Sequence, residues 1–345
     1  MKYFILAIII VYAFSAQDRC GEDYGKCDSG DCCSQYGWCG ESEEHCGIGC
    51  QSEYGTCNSK DDKGDKGNDN FEPGEGKVEW AGFRFSQSGV QKNYDQIPDG
   101  QSWVGFVNKF KRHFNSDAKP TVIVLISSIR DDKVNYFLFP APKGYSETST
   151  IKFNSKDIFE KILTVFDEEG MNVWLQVDPG KNDLVKLAEI TFKQYGHHSC
   201  VKGFGVDLEW WKNYEEEEGH GSKIPDKDAE ALVKYVRSIN SKYTVFTKHW
   251  EAKYMPDTYR DGMIFIDDSQ GLHSISNAQK EFKKFAEAIK DNPVFYQIGY
   301  NADKDLWQKR PTEFAKELID EITKVNKHVG MIWVDFSMKE ALELM

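Results

Sequence analysis

The chain reads as a (β/α)8 barrel of the TIM type preceded by a small disulfide-rich module, and three observations carry that reading. Residues 78–345 come close to the ~250 residues such a barrel takes, and strand-like runs alternate through them with helical runs. Eight of the nine cysteines fall between Cys20 and Cys57, a density that staples a segment too short to bury a core of its own. The run VKGFGVDLEWW at 201–211 alternates as a strand and sets Asp207 and Glu209 on one face, about 6.6 Å apart at ~3.3 Å per residue.

The first 17 residues carry Lys2, an apolar run over 4–11, and the small residues Ser15 and Ala16. This pattern is expected to be a secretory signal peptide, because the apolar run falls short of the ~20 residues that span a bilayer. The protein is therefore expected outside the cell, with no membrane span elsewhere. A net charge of −13 and a pI of about 5.2 disfavour nucleic acid and anionic membranes as partners. An uncharged polymer is the easier partner, and the chain is expected to act as a monomer.

An even, dense cysteine set in an exported chain is a disulfide framework rather than a zinc site, although spacing alone leaves the pairing open. The segment 18–57 contains Cys20-Gly21, Cys27, the run Cys32-Cys33-Ser34-Gln35-Tyr36-Gly37-Trp38-Cys39-Gly40, then His45-Cys46, Cys50 and Cys57. In these residues it resembles the hevein-like chitin-binding module. The resemblance implies the pairs Cys20–Cys33, Cys27–Cys39, Cys32–Cys46 and Cys50–Cys57. It also implies a site for N-acetylglucosamine oligomers on Ser34, Tyr36, Trp38 and His45, with histidine where the family commonly has tyrosine. The chemistry suits the ligand: a pyranose ring stacks its C–H face on an aromatic side chain, and a hydroxyl bonds the acetamide carbonyl.

Residues 58–77 lose apolar periodicity and gain glycines and alternating charges, which makes them a flexible linker. Beyond it, strands are expected at 79–85, 121–127, 172–177, 203–209, 243–247, 263–267, 294–298 and 331–336. Helices are clearest at 158–169, 184–195, 228–240, 279–291 and 312–326, where apolar residues recur at three and four spacing. The apolar run 136–139, with Tyr145, is expected to be an excursion after the second strand, perched over the mouth. Eight strands close a barrel, and barrels place their chemistry at the C-terminal strand ends, where Glu209 falls. Gly203 and Gly205 leave room beneath the two acids.

Gly205-Val206-Asp207-Leu208-Glu209-Trp210 on strand four and Gly330-Met331-Ile332-Trp333-Val334-Asp335 on strand eight are similar to a distant family-18 chitinase or chitinase-like barrel. The resemblance implies Glu209 as general acid and Asp207 as the group that orients the substrate N-acetyl, whose carbonyl oxygen attacks the anomeric carbon. It implies Trp333 as the floor of the sugar subsite, with Asp267 or Tyr300 in the acetamide-contacting role. Lys202 and Gly205 stand where the family has its first two aspartates.

A retaining pair of carboxylates would want an acid on strand seven, where 295–300 offers none. His197-His198 precede strand four, opposite the chemistry, so neither a metal nor any other cofactor is expected. Cys200 reads as a buried thiol, and 215–218 as a solvated acidic run or a rim to the cleft. Lys248, His249, Trp250, Gln176 and Asp178 fall at strand ends and are candidate cleft residues from topology. The expected function is hydrolysis of chitin or another N-acetylglucosamine-containing glycan by a secreted chitinase-like glycosidase. The alternative is a barrel without catalysis, serving as a lectin or cell-wall structural protein.

Overall fold

The structure, a computed structural model, describes residues 19–21, 24–34, 37–46, 50–57, 76–129, 133–212 and 220–345. The expected leader at 1–17, Tyr36, nearly all of the expected linker and the acidic run 215–218 lie outside those residues. The chain divides into two compact units, at 70/71.

In the first unit the strands Cys32–Cys33 and Cys39–Gly40 pair antiparallel, and a short helix, Glu43–Cys46, follows. Four disulfides hold these pieces: Cys20–Cys33, Cys27–Cys39, Cys32–Cys46 and Cys50–Cys57. This is the pairing that the hevein-like resemblance implies. So few apolar residues could not hold these turns without the cross-links.

The second unit is a closed parallel barrel of eight strands: β1 (Trp80–Phe85), β2 (Lys119–Leu125), β3 (Asn172–Val177), β4 (Val201–Asp207), β5 (Thr244–Lys248), β6 (Met263–Asp267), β7 (Val294–Ile298) and β8 (Val329–Trp333). Each strand pairs with the next, and β8 closes onto β1. The helices around them are α1 (Gly100–Arg112), α2 (Glu160–Glu168), α3 (Leu184–Tyr195), α4 (Asp226–Ile239), α5 (Ile275–Ala288), α6 (Pro311–Ile322) and α7 (Met338–Leu344). Their starts are chemically marked. Asp99, Asp183 and Ser274 cap α1, α3 and α5 by accepting backbone N–H groups, and Pro311 opens α6, where a missing N–H costs nothing.

Alternation along the strands sorts the side chains into two cores. Trp80, Ile123, Trp174, Phe246, Ile264, Ile266, Phe295 and Ile332 fill the barrel interior. Residues of the opposite parity, such as Phe204, Val206, Phe265 and Tyr296, pack with the helices. Gly205 serves this interior: a Cβ there would stand 2.1 Å from the Phe246 ring, so the glycine admits a phenylalanine rather than leaving room. The excursion after β2 is a three-stranded sheet of Ser127–Ile129, Asn135–Phe137 and Ile151–Phe153. Among the described residues no helix is long and apolar enough to cross a membrane.

Candidate functional site

In the first unit, Trp38 is 44% exposed. One face of its ring carries the Arg19 guanidinium at 4.4 Å, which also stands 4.6 Å from the Tyr24 ring. Ser34 is buried, and its hydroxyl accepts the Trp38 backbone N–H at 3.2 Å, which fixes the turn that presents the indole. His45 is held by Ser42, whose Oγ lies 2.7 Å from Nδ1, and its ring lies against Gly40.

In the barrel, β4 ends at Asp207, and a single 3-10 turn, Leu208–Trp210, follows. The turn begins because Asp207 Oδ1 accepts the backbone N–H of Glu209 at 3.2 Å, a local bond that competes with strand continuation. Glu209, expected as the last residue of the strand, therefore sits on a turn two residues past its end. Trp210 beside it is 41% exposed, whereas Trp211 is buried and donates to the Asn182 carbonyl.

Lys248, at the end of β5, reaches under both acids. Its Nζ lies 2.8 Å from Asp207 Oδ2 and 3.0 Å from Glu209 Oε1, and it contacts Asp268, the residue after β6. The side chain is only 4% exposed, so the contacts are made in a poorly hydrated site where charge is strongly felt. Arg84 on β1 pairs with Asp335 at 2.8 Å. Tyr300 donates to Gln297 Oε1 at 3.0 Å and lies in the field of Asp268, Lys248, Arg84 and Glu209.

These surroundings separate the carboxyl groups electrostatically. Burial, reinforced by Asp268 and Asp207 and only partly offset by Lys248, pushes Glu209 up to about 10. Burial would raise Asp268 too, but Lys248 and a hydrogen bond from Glu209 hold it below the ordinary carboxylate range. Burial and Asp268 push Asp207 up to about 6 against Lys248, and burial with Asp207 pushes Asp178 up to about 7. Burial disfavours the Lys248 ammonium, yet Asp207, Asp268 and Glu209 outweigh it and keep the proton on. Near neutral pH, then, Glu209 holds a proton beside an ionised Asp268, the separation that acid and base roles require.

Among the described residues, five buried polar atoms at the strand ends have no hydrogen-bond partner: Arg84 Nε, Gln176 Oε1, Asp178 Oδ1, Asp268 Oδ1 and Gln297 Nε2. Each costs about 1–3 kcal/mol unless something polar meets it, and together they offer two donors and three acceptors. Of these residues Asp268 lines a groove of about 330 Å³, together with Glu209, Trp250, Ser269, Gln270, Leu272 and Glu281. The Trp250 ring is backed by His249 at 4.1 Å and by the edge of His220 at 5.3 Å. A second hollow of about 200 Å³ shares Trp250 and Glu281 with the first.

Two expected site residues are displaced by strand parity. Asp267 is the last residue of β6, and Ile264 and Ile266 hold the inward positions, so its side chain turns to the helix layer. There it accepts the Ser269 backbone N–H and hydroxyl and lies beside Tyr296. Trp333 likewise turns outward on β8, packs on Phe110 and Trp307, and donates to Ser337 Oγ at 2.9 Å, so it floors no subsite. Asp207 and Asp268 are equally buried, but only Asp268 lines the groove; Asp207 spends its oxygens on Lys248, Gln176 and the Glu209 N–H. Its Oδ2 pairs with Lys248 at 2.8 Å. Asp268, Arg84 and Gln297 were not singled out from the sequence; the signal for them is polar residues at the ends of otherwise apolar strands.

Residues 19–58 match the family described as chitin recognition protein. A chitin deacetylase from Pestalotiopsis sp is 50% identical over 44 residues, covering 12% of this chain and 15% of that protein. An endochitinase from Phaseolus vulgaris is 40% identical over 53 residues, covering 15% and 16%. This chain thus spans under a fifth of the length of these curated relatives. Among solved structures, the barrel is similar to the Pseudomonas stutzeri endoglucanase Cel5A, with a TM-score of 0.47, 11% identity, and coverage of 79% of this chain and 97% of that one. It is also similar to a beta-1,4-D-mannanase from Cryptopygus antarcticus, with a TM-score of 0.46, 11% identity, and coverage of 79% and 94%.

Proposed function

We propose that this protein is a secreted chitin-binding glycosidase whose barrel hydrolyses β-1,4-linked N-acetylglucosamine by substrate-assisted, retaining catalysis. The observation that carries the reading is that Glu209 and Asp268 line one groove and share Lys248, with burial raising the Glu209 carboxyl and Lys248 holding that of Asp268 low. Glu209 gives its proton to the glycosidic oxygen as the bond to the anomeric carbon breaks. The acetamide carbonyl oxygen bonds to that carbon, and Asp268 accepts the acetamide N–H and stabilises the positive charge that develops. Water then opens the cyclic intermediate, giving a proton back to Glu209. Asp268 thus takes the orienting role that the family resemblance gives to Asp207.

The first unit supplies anchorage: a module of the chitin-recognition family with an exposed indole holds the barrel at high local concentration on an insoluble polymer. Export is supported by the leader pattern at 1–17 and by four disulfides, which need an oxidising compartment. The deciding experiment measures soluble oligomers released from chitin by wild type and by Glu209→Gln. Release that falls about 10²–10⁴-fold in the variant supports hydrolysis. Equal, non-zero release removes Glu209 as the acid and defeats this mechanism, and release from neither protein leaves the lectin reading, in which the ion-paired Lys248 cluster is structural.

A further inference from the structure

At the end of the barrel opposite the charged mouth, where β4 begins, α2 and the loop between α3 and β4 bring together two histidines and two carboxylates. Glu160 and Asp167 lie seven residues apart on α2, two turns, so both project from one face. His198 lies across that face. Its Nδ1 stands 2.7 Å from Asp167 Oδ2, while Asp167 Oδ1 accepts the Cys200 backbone N–H at 2.7 Å and the Ser199 hydroxyl at 3.2 Å. A carboxylate that only accepts makes Nδ1 the donor and turns the Nε2 lone pair the other way.

That Nε2 is buried without a hydrogen bond, on a side chain only 2% exposed. It faces Glu160 Oε2 at 3.5 Å, an acceptor against an acceptor, which calls for a cation between them. His197 completes the cluster, with Nε2 at 3.0 Å from Glu160 Oε1, and the three ligand atoms lie within 4.8 Å of one another.

We propose that Glu160, His197 and His198 bind a zinc(II) ion, with Asp167 as the carboxylate that orients His198. Two imidazoles and one carboxylate suit a borderline ion such as zinc, whereas calcium or magnesium takes an oxygen shell. His197 and Glu160 are solvent-facing, so water can take the fourth position. The other grouping, Asp167 with His198 and Cys200, does not compete: it would need the Nδ1 and Asp167 oxygens already engaged, and the Cys200 thiol turns to the Leu163 carbonyl. The ion ties α2 to the segment that runs into β4, the strand bearing Asp207.

The test titrates zinc chloride into chelator-stripped, full-length protein by calorimetry, beside His197→Ala and Glu160→Gln, two exposed positions whose change leaves the core intact. Wild type is expected to take up one ion sensitive to both changes and to gain Tm with added zinc. Each variant is expected to bind at least about tenfold more weakly and to lose that gain. Glu209→Gln is expected to bind zinc as wild type does, which separates this site from the mouth. No binding by wild type, or affinity unchanged in both variants, overturns the assignment.

Discussion

Lys248 Nζ lies 3.0 Å beneath Glu209 Oε1, and both belong to a cluster with Asp207 and Asp268. One ammonium cannot neutralise three carboxylates in a site with little water, so one carboxyl keeps its proton. The member with its proton is Glu209, whose side chain is 21% exposed and lines the groove, and whose burial outweighs the help from Lys248.

Replacing Lys248 with methionine leaves buried carboxylates without their counter-charge, and the expected loss is about 3–5 kcal/mol of folding stability. Urea denaturation at neutral pH reads it. A loss below about 1 kcal/mol would mean that the cluster does not depend on Lys248 for its charge balance.

Glu209 titrates higher when folded than when unfolded, so above the ordinary glutamate range the unfolded chain holds fewer protons there and its contribution to stability falls as pH rises. Glu209→Gln removes that contribution. The variant is expected to melt above wild type at pH 8, with a difference that narrows towards pH 4; a difference independent of pH would show that Glu209 is ionised in the native state.

The same proton shapes the rate. The profile of kcat/KM is expected to decline on the alkaline side as Glu209 deprotonates near 10, and on the acid side only below the ordinary carboxylate range, where Asp268 protonates. An alkaline limb near 5 would reassign the acid.

Trp250 lies where the two hollows meet, backed by two histidine rings. Trp250→Ala is expected to lower kcat/KM on chitin oligomers about tenfold, the scale of one lost sugar–aromatic stack, with unchanged Tm. In the first unit, Trp38→Ala is expected to abolish retention on a chitin column, and full retention would move that site elsewhere.

Much of this architecture is legible in the sequence because length and period fix it. All eight strands fall within a few residues of their expected places, and the Cys32-Cys33 run identifies the knot. The resemblance implies Asp267 and Trp333 for the site, but strand parity turns both to the helix layer: a strand's period is two, so neighbouring residues face opposite ways, and Asp267-Asp268 offers both choices side by side. Alternation continues through Glu209 and reads as strand, whereas the Asp207 side chain bends the chain there. The division of protons among Asp207, Glu209 and Asp268 is set by Lys248, which the pairing of β5 with β4 and β6 brings beside them, a non-local contact that no local pattern encodes. The helix Gly100–Arg112 is absent from those expected, although Trp103, Val107 and Phe110 follow helical spacing.

The most direct test of Glu209 as proton donor compares two substrates of one variant. A dinitrophenyl glycoside of N-acetylglucosamine leaves without protonation, whereas a chitin oligomer does not. Glu209→Gln is expected to lose about 10²–10⁴-fold in kcat/KM on the oligomer and to keep most of its first-step rate on the aryl glycoside. Equal losses on both substrates would contradict the account.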